Sequence, residues 1–356
     1  MNFHLNRFLP VLLSVACVFG TTRAFPQSQF SGATPLQWSG RMAGAEMGRL
    51  GRSLDWQPGG RAKWDYAAGL FALSLLKLNA VEPDGRYLPF AEHAIGSFIT
   101  KDGEIHGYKP DDYQLDALNP GKTVLALWQI THDDRYQKAA RLLRQQLETQ
   151  PRTPDGGFWH KERYTNQMWL DGIYMAEPFY AEYAGLFGET NDFDDVAKQF
   201  RLINEHTFDA KTGLNYHGWD APKIHSWANP ATGCSSNFWW REMGWSAMAL
   251  VDTLDYFPTN HPARPELVAA FQKVCAGILK YQDPQSGLWW QVLDQGDRPG
   301  NYFEATASSM FVYALAKGVN RGYLARGDIP AITKGYAGIV NRLIKNDGDA
   351  RWSLTH

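Results

Sequence analysis

The chain has 356 residues, 44% of them hydrophobic, with 35 basic and 37 acidic side chains. That composition excludes a disordered chain and supplies a large core, and a formal charge of −2 excludes a polybasic surface for nucleic acid or anionic membranes. Fourteen tryptophans exceed what a core alone demands and favour ring-stacking sites.

Arg7 precedes an apolar run from Phe8 to Gly20, and Thr22-Arg23-Ala24 follows with a small-x-small pattern. These predict a signal peptide over residues 1–24 and a secreted, periplasmic protein. The run is too short for an ordinary membrane span. A lipid anchor on Cys17 is the alternative, although Ser14 stands where a leucine-like residue is expected. Residues 25 to about 40 read as an arm at the start of the mature chain. Residues 25–356 as a whole read as one domain, because no Pro/Gly/Ser-rich linker divides them.

From Tyr66 to Leu78, apolar residues recur at intervals of three and four, the signature of a helix. The same spacing predicts helices at 123–130, 136–147, 173–187, 196–204, 246–254, 267–281 and 307–319, and a last helix or pair within 328–346. A loop recurs between them: Lys101 to Tyr108, Thr153 to His160, Asp209 to His217 and Asp283 to Trp290. Each carries a polar turn, a glycine and then aliphatic or aromatic residues. The glycines lie roughly 55 to 75 residues apart, which suits one helical hairpin per repeat. An all-α closed or stacked architecture follows. The loops share one end of it, so their aromatics gather at one rim. Phe158 and Leu288 read as plugs of their own hairpins, whereas Trp159, His217 and Trp290 suit a plug or a ligand equally.

Asp116 and Asp171 are the candidate catalytic carboxylates. Either could instead cap a helix. Trp169, Tyr174 and Met175 flank Asp171, and an apolar setting would raise its pKa toward that of a general acid. Gly121-Lys122-Thr123 resembles the end of a phosphate-binding loop, but Asp116 occupies the place of the required glycine. His217 suits hydrogen bonding to a sugar or proton transfer. Arg241, between Trp239 and Trp245, suits a substrate carboxylate. Glu104, Glu162, Glu177 and Glu304 could also supply a glycosidase pair. Cys234 and Cys275 could be bonded or free. No metal signature, Gly-x-Ser-x-Gly elbow or Gly-x-Gly-x-x-Gly fingerprint is present.

These residues resemble glycoside hydrolase family 105, the unsaturated rhamnogalacturonyl and glucuronyl hydrolases. The resemblance runs from about Trp64 to Gly322. It rests on Leu115-Asp116, Trp169 to Met175, Tyr216-His217-Gly218, the Trp239-x-Arg241-x-x-Gly244-Trp245 pattern, and Asn301 to Ala305. It implies an (α/α)6 barrel of six helical hairpins, no metal and no organic cofactor. It also implies an acidic oligosaccharide substrate left by a polysaccharide lyase, usually unsaturated galacturonyl-rhamnose. Asp171 would act as general acid and then base, with Asp116 in support and His217 positioning water or sugar. Trp169, Trp239 and Trp245, with Met175 beside Asp171, would wall the sugar subsite. Where the family commonly has small residues such as Gly-Asn, this chain has Glu242 and Met243. Glu242 could pair with Arg241 and weaken uronate binding. An ordinary glycosidase or epimerase on the same barrel, and a non-catalytic sugar-binding protein, are the competing readings.

Overall fold

The computed structural model describes residues 28–51, 62–349 and 351–355; the predicted signal peptide and Cys17 lie outside them. Eleven α-helices follow in order among the described residues: α1 Pro35–Leu50, α2 Tyr66–Val81, α3 Tyr87–Ala91, α4 Gly121–Thr131, α5 Asp134–Thr149, α6 Leu170–Phe187, α7 Asp192–Thr207, α8 Trp240–Tyr256, α9 Arg264–Lys280, α10 Ala305–Asn320 and α11 Ile329–Gly338. One π-helical turn extends α3 to Gly96, and another extends α11 to Leu343. Three short antiparallel pairs join β1 Gln167–Trp169 to β4 Gly218–Asp220, β2 Phe208–Asp209 to β3 Leu214–Asn215, and β5 Ile344–Asn346 to β6 Trp352–Leu354.

The helices α2, α4, α6, α8 and α10 pack consecutively side by side as an inner ring. Their sequences explain this placement. In α6 and α8 nearly every residue from Leu170 to Ala184 and from Trp240 to Leu254 is buried, so both are apolar all round. The alternate helices are amphipathic: α5 buries Tyr136, Ala139, Leu143 and Leu147 and exposes Asp134, Lys138, Arg141 and Glu148, although Arg144 is buried against Glu189 and Asp192. Each inner helix thus forms a hairpin with the outer helix that follows it. Helix α1 bridges the first hairpin to the last: Ala43 packs with Leu75, Leu78 and Tyr87, and Trp38 packs with Val340 and Trp352. This is the helical barrel that the resemblance implies.

The segment expected to be an arm at 25–40 is therefore in part a helix. Thr34 caps α1 in a reciprocal capping box with Gln37, and Pro35 holds the first turn. The expected last helix, 328–346, ends sooner, because its final residues pair as β5. Cys234 and Cys275 are buried free thiols.

The four recurring loops share one geometry. Gly103, Gly156, Gly213 and Gly287 all have positive φ, and each loop lies against the next outer helix. At Gly287 a Cβ would stand 2.5 Å from the Lys334 carbonyl oxygen, so φ of +75° and the close approach both require glycine. The residue four places after three of these glycines is His160, His217 or Gln291. The main-chain oxygen of each accepts a hydrogen bond from the chain that enters an inner helix. His160 accepts from Leu115 N–H at 3.1 Å, His217 from Leu170 N–H at 3.0 Å, and Gln291 from Trp240 N–H at 3.3 Å. The donor in each case immediately precedes Asp116, Asp171 or Arg241. One repeated backbone contact thereby fixes three candidate functional residues at the same end of the barrel.

Candidate active site

The N-terminal ends of the inner helices converge at this end. Tyr66 begins α2, Asp116 lies on a 3-10 turn before α4, Asp171 is in the first turn of α6, Arg241 and Glu242 are in the first turn of α8, and Glu304 precedes α10. Unpaired N–H groups and helix dipoles point toward the shared space, which favours an anionic ligand.

His160 stands between the two aspartates. Its Nε2 is 3.3 Å from Asp116 Oδ1, and its Nδ1 is 3.5 Å from Asp171 Oδ1 without hydrogen-bond geometry. Lys161 Nζ lies 2.5 Å from Asp116 Oδ2. Burial would raise the pKa of Asp116, but His160 and Lys161 outweigh it and hold the group down at about 2. His160 is only 3% exposed. Burial opposes its charge, yet Asp171 and Asp116 prevail and raise its pKa. The result is a carboxylate held ionised at Asp116 and an imidazole whose cationic form is favoured by the two aspartates.

The surroundings of Asp171 are thus not the apolar pocket expected from its sequence neighbours. His160 is on one side and Glu242 on the other. Glu242 forms no ion pair with Arg241; its carboxyl is buried beside that of Asp171, with Oε2 unpartnered. Burial first, and then the Asp171 charge, raise the Glu242 pKa well above the usual range. Arg241 instead approaches Glu304, Nη2 to Oε1 3.7 Å, and its guanidinium sits 5.1 Å over the Trp239 ring. It faces a cavity of about 450 Å³ shared with Tyr66, Trp245 and Thr306.

An aromatic wall borders the carboxylates. Trp169 stacks with Tyr164 and His160, with ring centroids 5.2 and 5.7 Å apart. The pairing of β1 with β4 sets Trp169 opposite Gly218, beside His217. His217 meets the edges of Trp169 and Trp239. Burial lowers its pKa, so the imidazole is neutral near pH 7. His217, Trp239, Gln291 and Arg298 line a further cavity of about 390 Å³.

The structure therefore brings Asp116, Asp171, His217, Arg241, Trp169 and Trp239 together. Trp245 is 5% exposed and stacks on Tyr174, so it backs the cavity more than it walls it. Met175 is 2% exposed and packs within the main core, contrary to its expected place at the sugar, because the interior of α6 is buried all round. His160, Lys161 and Tyr66 belong to the site but were not singled out from sequence. The register of the loops was the available signal for His160, since it occupies the same position after its glycine as His217. Of the other expected acids, Glu177 is buried within α6, and only Glu304 adjoins the site through Arg241. Among the described residues, no group of three or more His, Cys, Asp or Glu is arranged to hold a metal.

Residues 38–354 match Glycosyl Hydrolase Family 88. A family 105 glycoside hydrolase of C. acetobutylicum ATCC 824 is 40% identical, superposes with a TM-score of 0.85, and is matched over 89% of this chain and 86% of that one. Protein Atu3128 of Agrobacterium fabrum is 39% identical over 51% of this chain and 78% of its own length. The unsaturated rhamnogalacturonyl hydrolase YesR of Bacillus subtilis is 28% identical over 56% of this chain and 57% of its own. The chain belongs to this family of glycoside hydrolases, and the family 105 resemblance read from its sequence is borne out.

Proposed function

We propose that the enzyme removes the terminal 4,5-unsaturated uronic acid from oligosaccharides released by polysaccharide lyases. The observation that carries this reading is the placement of Asp171 beside His160 and Glu242 at the barrel end where Arg241 begins α8. In its protonated form Asp171 delivers a proton to C4 of the double bond, and positive charge develops at C5 and the ring oxygen. Water adds at C5 while Asp171 takes its proton. The resulting hemiketal opens at the ring and releases the neighbouring sugar. Asp171 ends as it began, so one carboxyl group serves as acid and then base.

The other residues have separable roles. Asp116, held as a carboxylate, anchors the His160 cation that faces Asp171. Neutral His217 orients the water or the sugar. Arg241, aligned by Glu304 and Trp239, binds the uronate carboxylate, and the converging helix ends reinforce it. Trp169 and Trp239 stack on the sugars. Unsaturated galacturonyl-rhamnose from pectic rhamnogalacturonan is the proposed substrate, in line with the name of the Bacillus subtilis relative. The N-terminal apolar run supports a reaction in the periplasm or outside the cell.

The test is absorbance of the conjugated double bond during incubation with lyase-digested rhamnogalacturonan. The reading predicts loss of absorbance with the wild type and none with Asp171→Asn. Persistent absorbance with release of sugar would point to ordinary glycoside cleavage.

A further inference from the structure

Lys122, the lysine of the Gly-Lys-Thr sequence, has no part in that site. Its neighbours in the motif serve packing. Gly121 leaves room for the Phe179 ring, and Thr123 Oγ1 donates to the Gly69 carbonyl at 2.7 Å. Lys122 itself lines a cavity of about 300 Å³ reached by the C-terminal halves of the inner helices, away from Asp171. Its Nζ lies 3.6 Å over the Tyr174 ring and has no hydrogen-bond partner, although the residue is 4% exposed. Tyr174 in turn stacks on Trp245, which separates this chamber from the cavity of Arg241.

The charges in the chamber divide into a satisfied set and an unsatisfied one. Lys317 Nζ pairs with Asp252 at 2.5 Å and Asp255 at 2.6 Å. Arg321 completes the Asp255 pair, and the Tyr313 hydroxyl donates to Asp252. These acids are already occupied and leave little to attract a cation. Glu182 accepts from Gln129, and burial lifts its pKa to about 7, which favours its neutral form. Lys122 remains as an unpartnered donor, with Lys77 also on the lining. Leu73, Leu76, Ala126 and Ile130 supply an apolar wall. A buried ammonium is stable only with acceptors around it, and its ligand must supply them.

We propose that this chamber binds a small organic carboxylate, whose oxygens accept from Lys122 and whose short hydrocarbon part packs on the Leu73–Ile130 wall. Binding then couples to protonation. Burial lowers the free Lys122 pKa to about 7, countered by Asp252 and Glu182 and assisted by Lys77 and Lys317. The adjoining Asp255 and Tyr256 complete the titratable groups lining the chamber. A carboxylate favours the ammonium, so binding takes up a proton and weakens as pH rises above 7.

The experiment is calorimetric titration of the full enzyme with butyrate, with n-butylammonium as the charge-reversed control. At pH 6.5 butyrate binds saturably at one site and butylammonium does not. At pH 8.5 its affinity falls about tenfold. Lys122→Met keeps the side-chain stem and weakens butyrate about tenfold or more. Ala126→Phe fills the chamber without removing a buried charge, and abolishes binding while leaving uronyl hydrolysis intact. Equal affinity in the folded variants, tighter binding of butylammonium, or no saturable binding of either probe would overturn the proposal.

Discussion

Glu242, 3% exposed, lies beside Asp171 where the N-termini of α8 and α6 adjoin. Two carboxyl groups so close cannot both ionise cheaply, and here burial and the Asp171 charge keep the proton on Glu242. A residue that replaces the small side chain common in the family thus sets a second carboxyl group beside the proposed catalytic acid.

Replacement of Glu242 by glutamine keeps a neutral side chain of the same size and removes the titration. Near pH 6 the variant should retain kcat/KM within about threefold of wild type. In the wild type, ionisation of Glu242 at high pH places a second negative charge beside Asp171 and ends activity. The alkaline limb of the pH profile should therefore move upward or vanish in Glu242→Gln. Superimposable profiles would remove Glu242 from this role.

The Asp116 ion pairs should contribute to stability in a defined pH window. Its pKa is lowered to about 2 in the folded state, below an ordinary aspartate, so the contribution is complete above about pH 4 and disappears as pH falls through about 2. Asp116→Asn should cost about 2 kcal/mol at pH 7. Denaturant unfolding should show this difference narrowing between pH 4 and pH 2. A difference independent of pH would assign the loss to packing.

Arg241→Ala should raise KM for unsaturated uronyl oligosaccharides by about 10- to 100-fold, the worth of a charged hydrogen bond. Esterified substrate should lose little from the same change, because it presents no carboxylate. Glu304→Gln should raise KM less, since it only loosens the alignment of Arg241. An unchanged KM in Arg241→Ala would move the carboxylate to another group.

Gly287→Ala should destabilise the fold by about 2–3 kcal/mol, through its left-handed backbone and the nearby Lys334 carbonyl. Gly300→Ala shares the positive φ but meets nothing within 4 Å, and should cost about 1 kcal/mol. Thermal denaturation of the two variants separates contact from conformation.

Much of this molecule was legible before its structure. The period of the longer helices gave an all-α closed or stacked architecture, since long buried or amphipathic segments declare their faces, and the family resemblance gave the barrel. The positive-φ glycines gave the repeat. Two helices escaped: α1 buries only Trp38, Ala43 and Leu50, too few to set a period, and α3 is short and ends in a π turn. In the site, Asp116, Asp171, His217 and Arg241 were visible as unusual residues among aromatics. His160 and Lys161 were not, because their role arises from proximity to an aspartate 45 residues away along the chain at Lys161. Glu242 was visible as a departure, but the direction of its side chain depends on how α8 meets α6.

The most direct test of the central claim is the hydrolysis run in D2O, with early product examined by NMR. Hydration of the double bond by Asp171 predicts one deuteron delivered to C4, on a single face, together with loss of the vinyl signal, and neither change with Asp171→Asn. Release of a uronic acid that keeps its double bond and carries no deuterium at C4 would contradict the mechanism.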